Sequence, residues 1–181
     1  MQLGNEELEI VDMTEVSDDK ILLTAKHKRK LILLDSKTDT VLSEIVLKDK
    51  PRFICMVNPN QVATTLLNKT VKFLNIKDTI VIDDLMLEVD VYVMGVAAYN
   101  NNLAFAYDPP GVKIISKDGA VIHKLDNTTA GREVFKSPRW VATTLDSIYV
   151  TDFGTHTINR LDASLTIVQT FSGPMIKNHL E

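Results

Sequence analysis

Five consecutive residues, "KHKRK" at Lys26, His27, Lys28, Arg29 and Lys30, carry four formal positive charges, and basic side chains recur at Lys50, Arg52, Lys69, Arg132, Lys136 and Arg139. Ammonium and guanidinium groups gathered this densely attract phosphates or carboxylates, although a solvated turn also accommodates them. Other reactive types are scattered. His27, His123, His156 and His179 have no metal-ligand spacing supported by further ligands. Asp83, Asp84 and Asp108 lack the alternating oxygen pattern of a calcium loop. Serine, histidine and aspartate all occur, yet there is no Gly-x-Ser-x-Gly elbow. The residues therefore point to no catalytic centre, no metal and no cofactor. They favour a binding surface.

Four stretches must position those charges. They are "DKILLTAKHKRKLILLD", "NQVATTLLNKTVKFLN", "NNLAFAYDPPGVKIIS" and "DSIYVTDFGTHTINRLD". Each runs from an apolar strand through a polar or Gly/Pro turn to a second apolar strand and a small polar residue. Ile21, Val62, Leu103 and Ile148 hold the same place in each, spaced 41, 41 and 45 residues apart. The closing residues Asp35, Asn75, Ser116 and Asp162 follow by 14, 13, 13 and 14. Flanking runs rich in Val, Ile, Leu and Thr add strands at 9–13, 53–57, 92–98 and 140–144 before the hairpins, and at 41–47, 79–82, 120–125 and 165–171 after them. No segment sustains the i, i+3, i+4 stripe of a helix. Four strands in about 42 residues is the period of a β-propeller blade. The chain thus reads as one all-β domain over 1–181, with approximate blades 9–47, 53–87, 92–125 and 140–171. A β-sandwich is the alternative, without an account of the period.

The formal net charge is −4, which argues against a uniformly basic nucleic-acid binder while allowing a local basic face. Cys55 is the single cysteine, so no internal disulfide forms and a reducing, cytoplasmic setting is expected. The N-terminus has no basic and apolar signal regions, and no apolar run is long enough to span a membrane.

The fourth repeat, "SPRWVATTLDSIYVTDFGTHTINRLD", resembles an NHL repeat at Pro138, Val141, Ala142, Ile148, Tyr149, Val150, Asp152, His156 and Ile158. Thr155 and Thr157 stand where that pattern has Asn and Arg, and Ala25, Leu66 and Tyr107 replace the Asp152 position in the other copies. Such divergent copies are similar to the C-terminal propellers of tripartite-motif (TRIM) proteins. The resemblance implies a six-bladed ring of which about four blades are present, and a protein- or RNA-recognition role without the RING and B-box parts of those ligases. "SGPMIKNHLE" resembles the start of another blade. Some propellers are lactonases or hydrolases, and this is the alternative enzymatic reading.

Trp140 and Phe53, each following a Pro-Arg pair, are expected to pack between blades, and Asp152 to hold turn amides. Loops leading into the innermost strands and turns between second and third strands emerge on one side of a propeller. Taken as 26–30, 48–52, 67–70, 88–93, 107–111, 126–139 and 152–156, they carry a net +4 against −4 for the whole chain. A basic face of Lys26, Lys28, Arg29, Lys30, Lys50, Arg52, Lys69, Arg132, Lys136 and Arg139 is therefore expected to meet an acidic protein or RNA. Exposed blade faces at the ends of an open arc are expected to drive self-association, which light scattering on the purified chain would detect.

Overall fold

The computed structural model describes residues 2–3, 6–77 and 80–173. His179, the side chain of Asp83 and the expected blade start after Gly173 lie outside the described residues, as does part of the strand expected over 79–82. All regular structure among the described residues is β. A short pair, β1 (Gln2–Leu3) and β2 (Glu6–Glu7), precedes four antiparallel meanders. The first contains β3 (Ile10–Ser17), β4 (Lys20–Ala25), β5 (Lys30–Asp35) and β6 (Thr40–Val46). The second has β7 (Pro51–Asn58), β8 (Gln61–Leu66), β9 (Thr70–Lys77) and β10 (Ile80–Glu88). The third has β11 (Tyr92–Tyr99), β12 (Asn102–Asp108), β13 (Gly111–Ile115) and β14 (Val121–Asp126), and the fourth β15 (Pro138–Thr143), β16 (Ile148–Asp152), β17 (Thr157–Leu161) and β18 (Ile167–Phe171). The chain divides into two compact units, Met1–Asp90 and Val91–Glu181, each holding two of these sheets.

Strand character follows burial. The middle strands β4, β5, β8, β12 and β13 are almost continuously apolar or threonine because both faces are covered. The last strands β6, β14 and β18 are largely exposed and mix polar with apolar side chains. Tight hairpins join them. Asn100 and Asn101 both adopt positive φ, 48° and 62°, the geometry of a two-residue turn whose twist matches the strands it joins. Arg29, Lys69 and His156 take the left-handed position in their turns, with φ of 54°, 63° and 52°. Histidine enters that region more readily than most side chains, so His156 has a conformational reason to be there.

Within each unit the two sheets pack face to face. In the first, Leu22, Leu31 and Leu33 meet Ile54, Val62 and Leu74. In the second, Ala104, Val112 and Ile114 meet Ile148, Val150 and Leu161, and Phe135 from the 127–137 connection is buried among them. The repeat anchors Val62, Leu103 and Ile148 are all 0% exposed. Ile21 is not their equal. It pairs with Leu34 in register as Val62 pairs with Leu74, yet it is half-buried. It packs at the margin of a smaller cluster of Leu8, Leu23, Ala25, Ile32 and Leu34, where it stays only partly buried.

Trp140 also departs from expectation. It is 49% exposed and does not pack between sheets, and Phe53 is only half-buried. Both lie where the first strand of the sheet bulges, which turns these side chains out of the inter-sheet core.

Leu103→Ala and Ile148→Ala are expected to destabilise the fold by about 2–5 kcal/mol each, the range for removing a buried aliphatic side chain. Ile21→Ala should lose about half as much. Urea denaturation followed by circular dichroism measures the difference, and an equal loss at Ile21 would contradict its partial burial.

Candidate functional site

Backbone hydrogen bonds fasten the turns to the connections beside them. In the first unit the Lys26 amide donates to the Glu9 carbonyl at 3.1 Å, and the Leu47 amide to Arg29 at 2.7 Å. The Leu67 amide donates to Lys50 at 3.0 Å and the Val89 amide to Lys69 at 2.8 Å. One end of this unit therefore carries Lys26, Lys28, Arg29, Lys30, Lys50, Arg52 and Lys69. In the second unit the Phe153 amide donates to the Ser137 carbonyl at 3.0 Å, which joins the 152–156 turn to the segment bearing Lys136 and Arg139. Arg132 lies further back on the same connection.

The cations differ in what they face. Lys26 lies 3.1 Å from Glu9, His27 contacts the same carboxylate, and Lys30 lies 2.6 Å from Glu44. The hydrogen bond from Lys26 lowers the Glu9 pKa most, burial works against it, and His27 adds a smaller pull. The dense cluster at 26–30 is thus partly neutralised by acids on neighbouring strands. Lys136 comes no nearer to Glu133 than 4.0 Å, and both are exposed. Arg139 is different. Its guanidinium carbon stands 4.4 Å from the centroid of the Phe153 ring, and no ion pair holds it among the described residues. Arg52 stands likewise 4.9 Å from the Phe53 centroid. Phe153 also lies 6.1 Å from His156, and Arg139 Nε and His156 Nδ1 are both buried without a hydrogen-bond partner. Stacking occupies the face of a guanidinium and leaves its edge donors for a planar anion.

What aims these arginines is a bulge. Each innermost strand carries an extra residue near its start, between Ile10 and Asp12, Pro51 and Ile54, Val93 and Gly95, and Pro138 and Val141, and β3 and β7 carry a second near their ends. The bulge frees an amide from the ladder, and a threonine hydroxyl accepts it in three sheets. The Asp12 amide donates to Thr24 Oγ1 at 2.9 Å, Phe53 to Thr65 at 3.1 Å and Trp140 to Thr151 at 3.1 Å. The bulge carbonyls face the neighbouring sheet. Thr24 Oγ1 donates to the Arg52 carbonyl at 2.8 Å, and a Cβ on Gly95 would stand 2.0 Å from the Arg139 carbonyl oxygen. The Ile54 amide donates to Asp12 Oδ2 at 2.9 Å across the same junction. Burial nevertheless raises the Asp12 pKa, against these amide bonds. Sequence reasoning missed the threonines, although the signal is present: each stands three residues after its anchor, and Ala106 takes that place in the third copy.

Asp152 is fully buried and accepts the amides of Lys136, Ser137 and Gly154 at 2.9–3.0 Å, which fixes the turn against the connection. At the end of the third sheet Tyr107 replaces the equivalent aspartate, and its hydroxyl donates to Asp126 Oδ2 at 2.9 Å. Asp126 also accepts the Thr129 amide at 2.7 Å and pairs with Lys124 at 2.7 Å. Burial resists its ionisation most strongly, but together these partners hold the carboxyl well below the usual range. Burial, with Asp12 adding, pushes the Cys55 thiol up to about 12, so it is no ready nucleophile. Among the described residues no three His, Cys, Asp or Glu side chains gather to hold a metal ion.

No protein-family model matches the chain, and no curated protein matches its sequence. Solved structures do. A catalytically inactive virginiamycin B lyase from Staphylococcus aureus, solved with quinupristin, is similar with a TM-score of 0.72 and 15% identity, over 97% of this chain and 59% of that one. U3-55K is similar with a TM-score of 0.75 and 12% identity, over 94% and 54%. A functionally unknown protein from Desulfotomaculum acetoxidans is similar with a TM-score of 0.67 and 13% identity, over 85% and 51%. With the four meandering sheets, these likenesses define a β-propeller fold. The chain spans between 51% and 59% of the length of these structures, and at such identities the likeness extends to the fold alone.

Thr65→Val removes the acceptor of the Phe53 amide and is expected to cost about 1–3 kcal/mol in chemical denaturation, the penalty for stranding a buried donor. Gly95→Ala should cost at least about 2 kcal/mol, because its new methyl meets backbone that cannot move aside. For Asp126 the folded pKa is depressed, so its stabilisation is present above the unfolded value near 4 and is lost as pH falls through the lower folded value. The thermal midpoint is expected to drop below about pH 4, and Asp126→Ala to flatten that drop.

Proposed function

We propose that this chain is a non-enzymatic recognition module that takes an acidic protein segment on the basic turn ends of its sheets. The observation carrying the reading is the repeated Pro-Arg pair, in which bulges hold Arg52 and Arg139 over aromatic rings and leave Arg139 without an acidic partner among the described residues. An arginine so held loses little side-chain freedom on meeting a carboxylate or phosphate, which favours recognition. The finer assignment is an NHL-type propeller similar to those of TRIM proteins, drawn from a six-bladed ring and working in the cytoplasm, with RNA as the other partner class. A lyase or hydrolase is the second reading, favoured by the likeness to virginiamycin B lyase.

The double variant Arg52→Glu, Arg139→Glu tests the proposal against a glutamate-rich peptide, a phosphopeptide and mixed-sequence single-stranded RNA. Wild-type protein is expected to bind one of the acidic peptides with salt-dependent affinity. The double variant should bind it at least about tenfold more weakly with a flatter salt dependence, while its folding is unchanged. Unchanged affinity would return the cations to the role of solvated turns. Tighter binding of RNA than of either peptide would reassign the partner.

A further inference from the structure

The second unit contains two adjoining clefts of about 300 and 340 Å³ that share Arg132, Val134 and Ile167. They lie where the 127–137 connection runs past the outer half of the fourth sheet. On the inner half of that sheet face, Ile148, Val150 and Leu161 pack against the third sheet. On the outer half Thr157, Asn159 and Thr170 continue the face with polar side chains, with Thr155 beside them, and in register Lys72 and Lys113 take the place of Asn159 in the second and third sheets. The fourth sheet differs in setting an uncharged amide between hydroxyls where those two sheets carry an ammonium.

These side chains are already arranged as a relay. Thr155 and Thr157 hydroxyl oxygens are hydrogen-bonded at 2.7 Å, Asn159 Nδ2 donates to Thr157 Oγ1 at 3.4 Å, and Thr170 Oγ1 donates to Asn159 Oδ1 at 2.8 Å. Asn159 is only 5% exposed, so the relay is seated in the sheet. The Thr155 and Thr170 hydroxyls keep a lone pair for a further donor, Thr157 keeps either a lone pair or its O–H, and the amide keeps a second N–H. Arg132 supplies a guanidinium with no ion pair among the described residues, Glu133 supplies an acceptor, and Val134 and Ile167 supply an apolar strip. The corresponding cleft in the first unit, lined by Lys48, Leu66, Lys72, Asp84, Leu85 and Met86, holds about 160 Å³ and has no hydroxyl lining.

We propose that the paired clefts form one site for a monosaccharide bearing a single anionic group. Lys124 also lines the first cleft but is paired with Asp126 at 2.7 Å, so the Arg132 guanidinium matches one phosphate or carboxylate, and the Glu133 carboxylate disfavours a second. The hydroxyl and amide relay matches the alternating donors and acceptors of a sugar ring, and the apolar strip matches its C–H face. Each cleft alone falls at the lower end of the volume range for small-molecule sites, and the pair lies within it. This site uses neither Arg52 nor Arg139, so it stands or falls separately from the proposed partner surface.

Titration calorimetry of the full chain with glucose 6-phosphate and with glucuronate tests it, glucose and inorganic phosphate serving as controls. Saturable binding of at least one anionic sugar is expected at a Kd of about 1 mM or below, and at least about tenfold weaker binding of both controls. The phosphate and carboxylate probes reveal which anion the guanidinium takes. Arg132→Ala should weaken the sugar at least about tenfold, and Thr170→Val about threefold without changing far-ultraviolet dichroism. Absence of saturation by either anionic sugar up to about 20 mM would overturn the proposal. Equal affinity in Arg132→Ala would do the same, as would phosphate binding as tightly as its sugar ester.

Discussion

The extra residue near the start of each innermost strand is the constraint around which the rest is arranged. A bulge takes one amide out of the ladder and bends the strand, and an amide left unpaired near the core is unfavourable. Thr24, Thr65 and Thr151 accept these amides with hydroxyls that stand at one fixed distance from the repeat anchors. The same kink presents the Arg52 and Arg139 carbonyls to the sheet beside them, where Thr24 donates to one and Gly95 makes room for the other. The junction between paired sheets and the direction of two arginines are thus consequences of one backbone irregularity. In the third sheet Ala106 replaces the threonine, and Gly95 admits the close approach instead. Two chemical solutions serve one geometry.

The basic character of the turns is reshaped by that geometry. Counted along the chain, Lys26–Lys30 is the densest run of positive charge, yet Glu9 and Glu44 on neighbouring strands lie against Lys26, His27 and Lys30. Exposed ion pairs of this kind contribute little to stability, but they reduce the charge a partner meets. Arg139 stands alone in the sequence and is set against Phe153, with its edge free of acids among the described residues. Local density of like charge and availability of that charge are separate properties, and only the second governs recognition.

The two units also differ in what lies between their sheets. In the first, the short 47–50 connection passes close over Leu66 and Met86, and the remaining space is small. In the second, the longer 127–137 connection inserts Phe135 into the core, held by Asn127, whose Oδ1 accepts the Val134 and Phe135 amides at 2.7 and 3.0 Å. Beside it lies a cleft lined by Thr157, Asn159 and Thr170. The longer connection thus adds one aromatic ring to the core, and the polar cleft lies beside it.

The sequence by itself determined the main strands, their order and the four-sheet repeat, because short apolar runs rich in β-branched residues and regularly spaced turn residues are local signals that survive without knowledge of contacts. It likewise placed Asp152, since a short acid at the end of a strand has few other amides to accept. The role of Thr24, Thr65 and Thr151 was also present at a fixed offset, but it acquires meaning only when a bulged strand lies opposite. Tertiary structure alone decided that Ile21 is half-buried where Val62 is not, since burial depends on what covers a sheet face and the repeat says nothing of that. It decided that Trp140 turns outward, because a one-residue shift in register reverses the face to which a strand side chain points. And it decided which cations are paired, because Glu44 is 14 residues from Lys30 along the chain and 2.6 Å from it across the sheet.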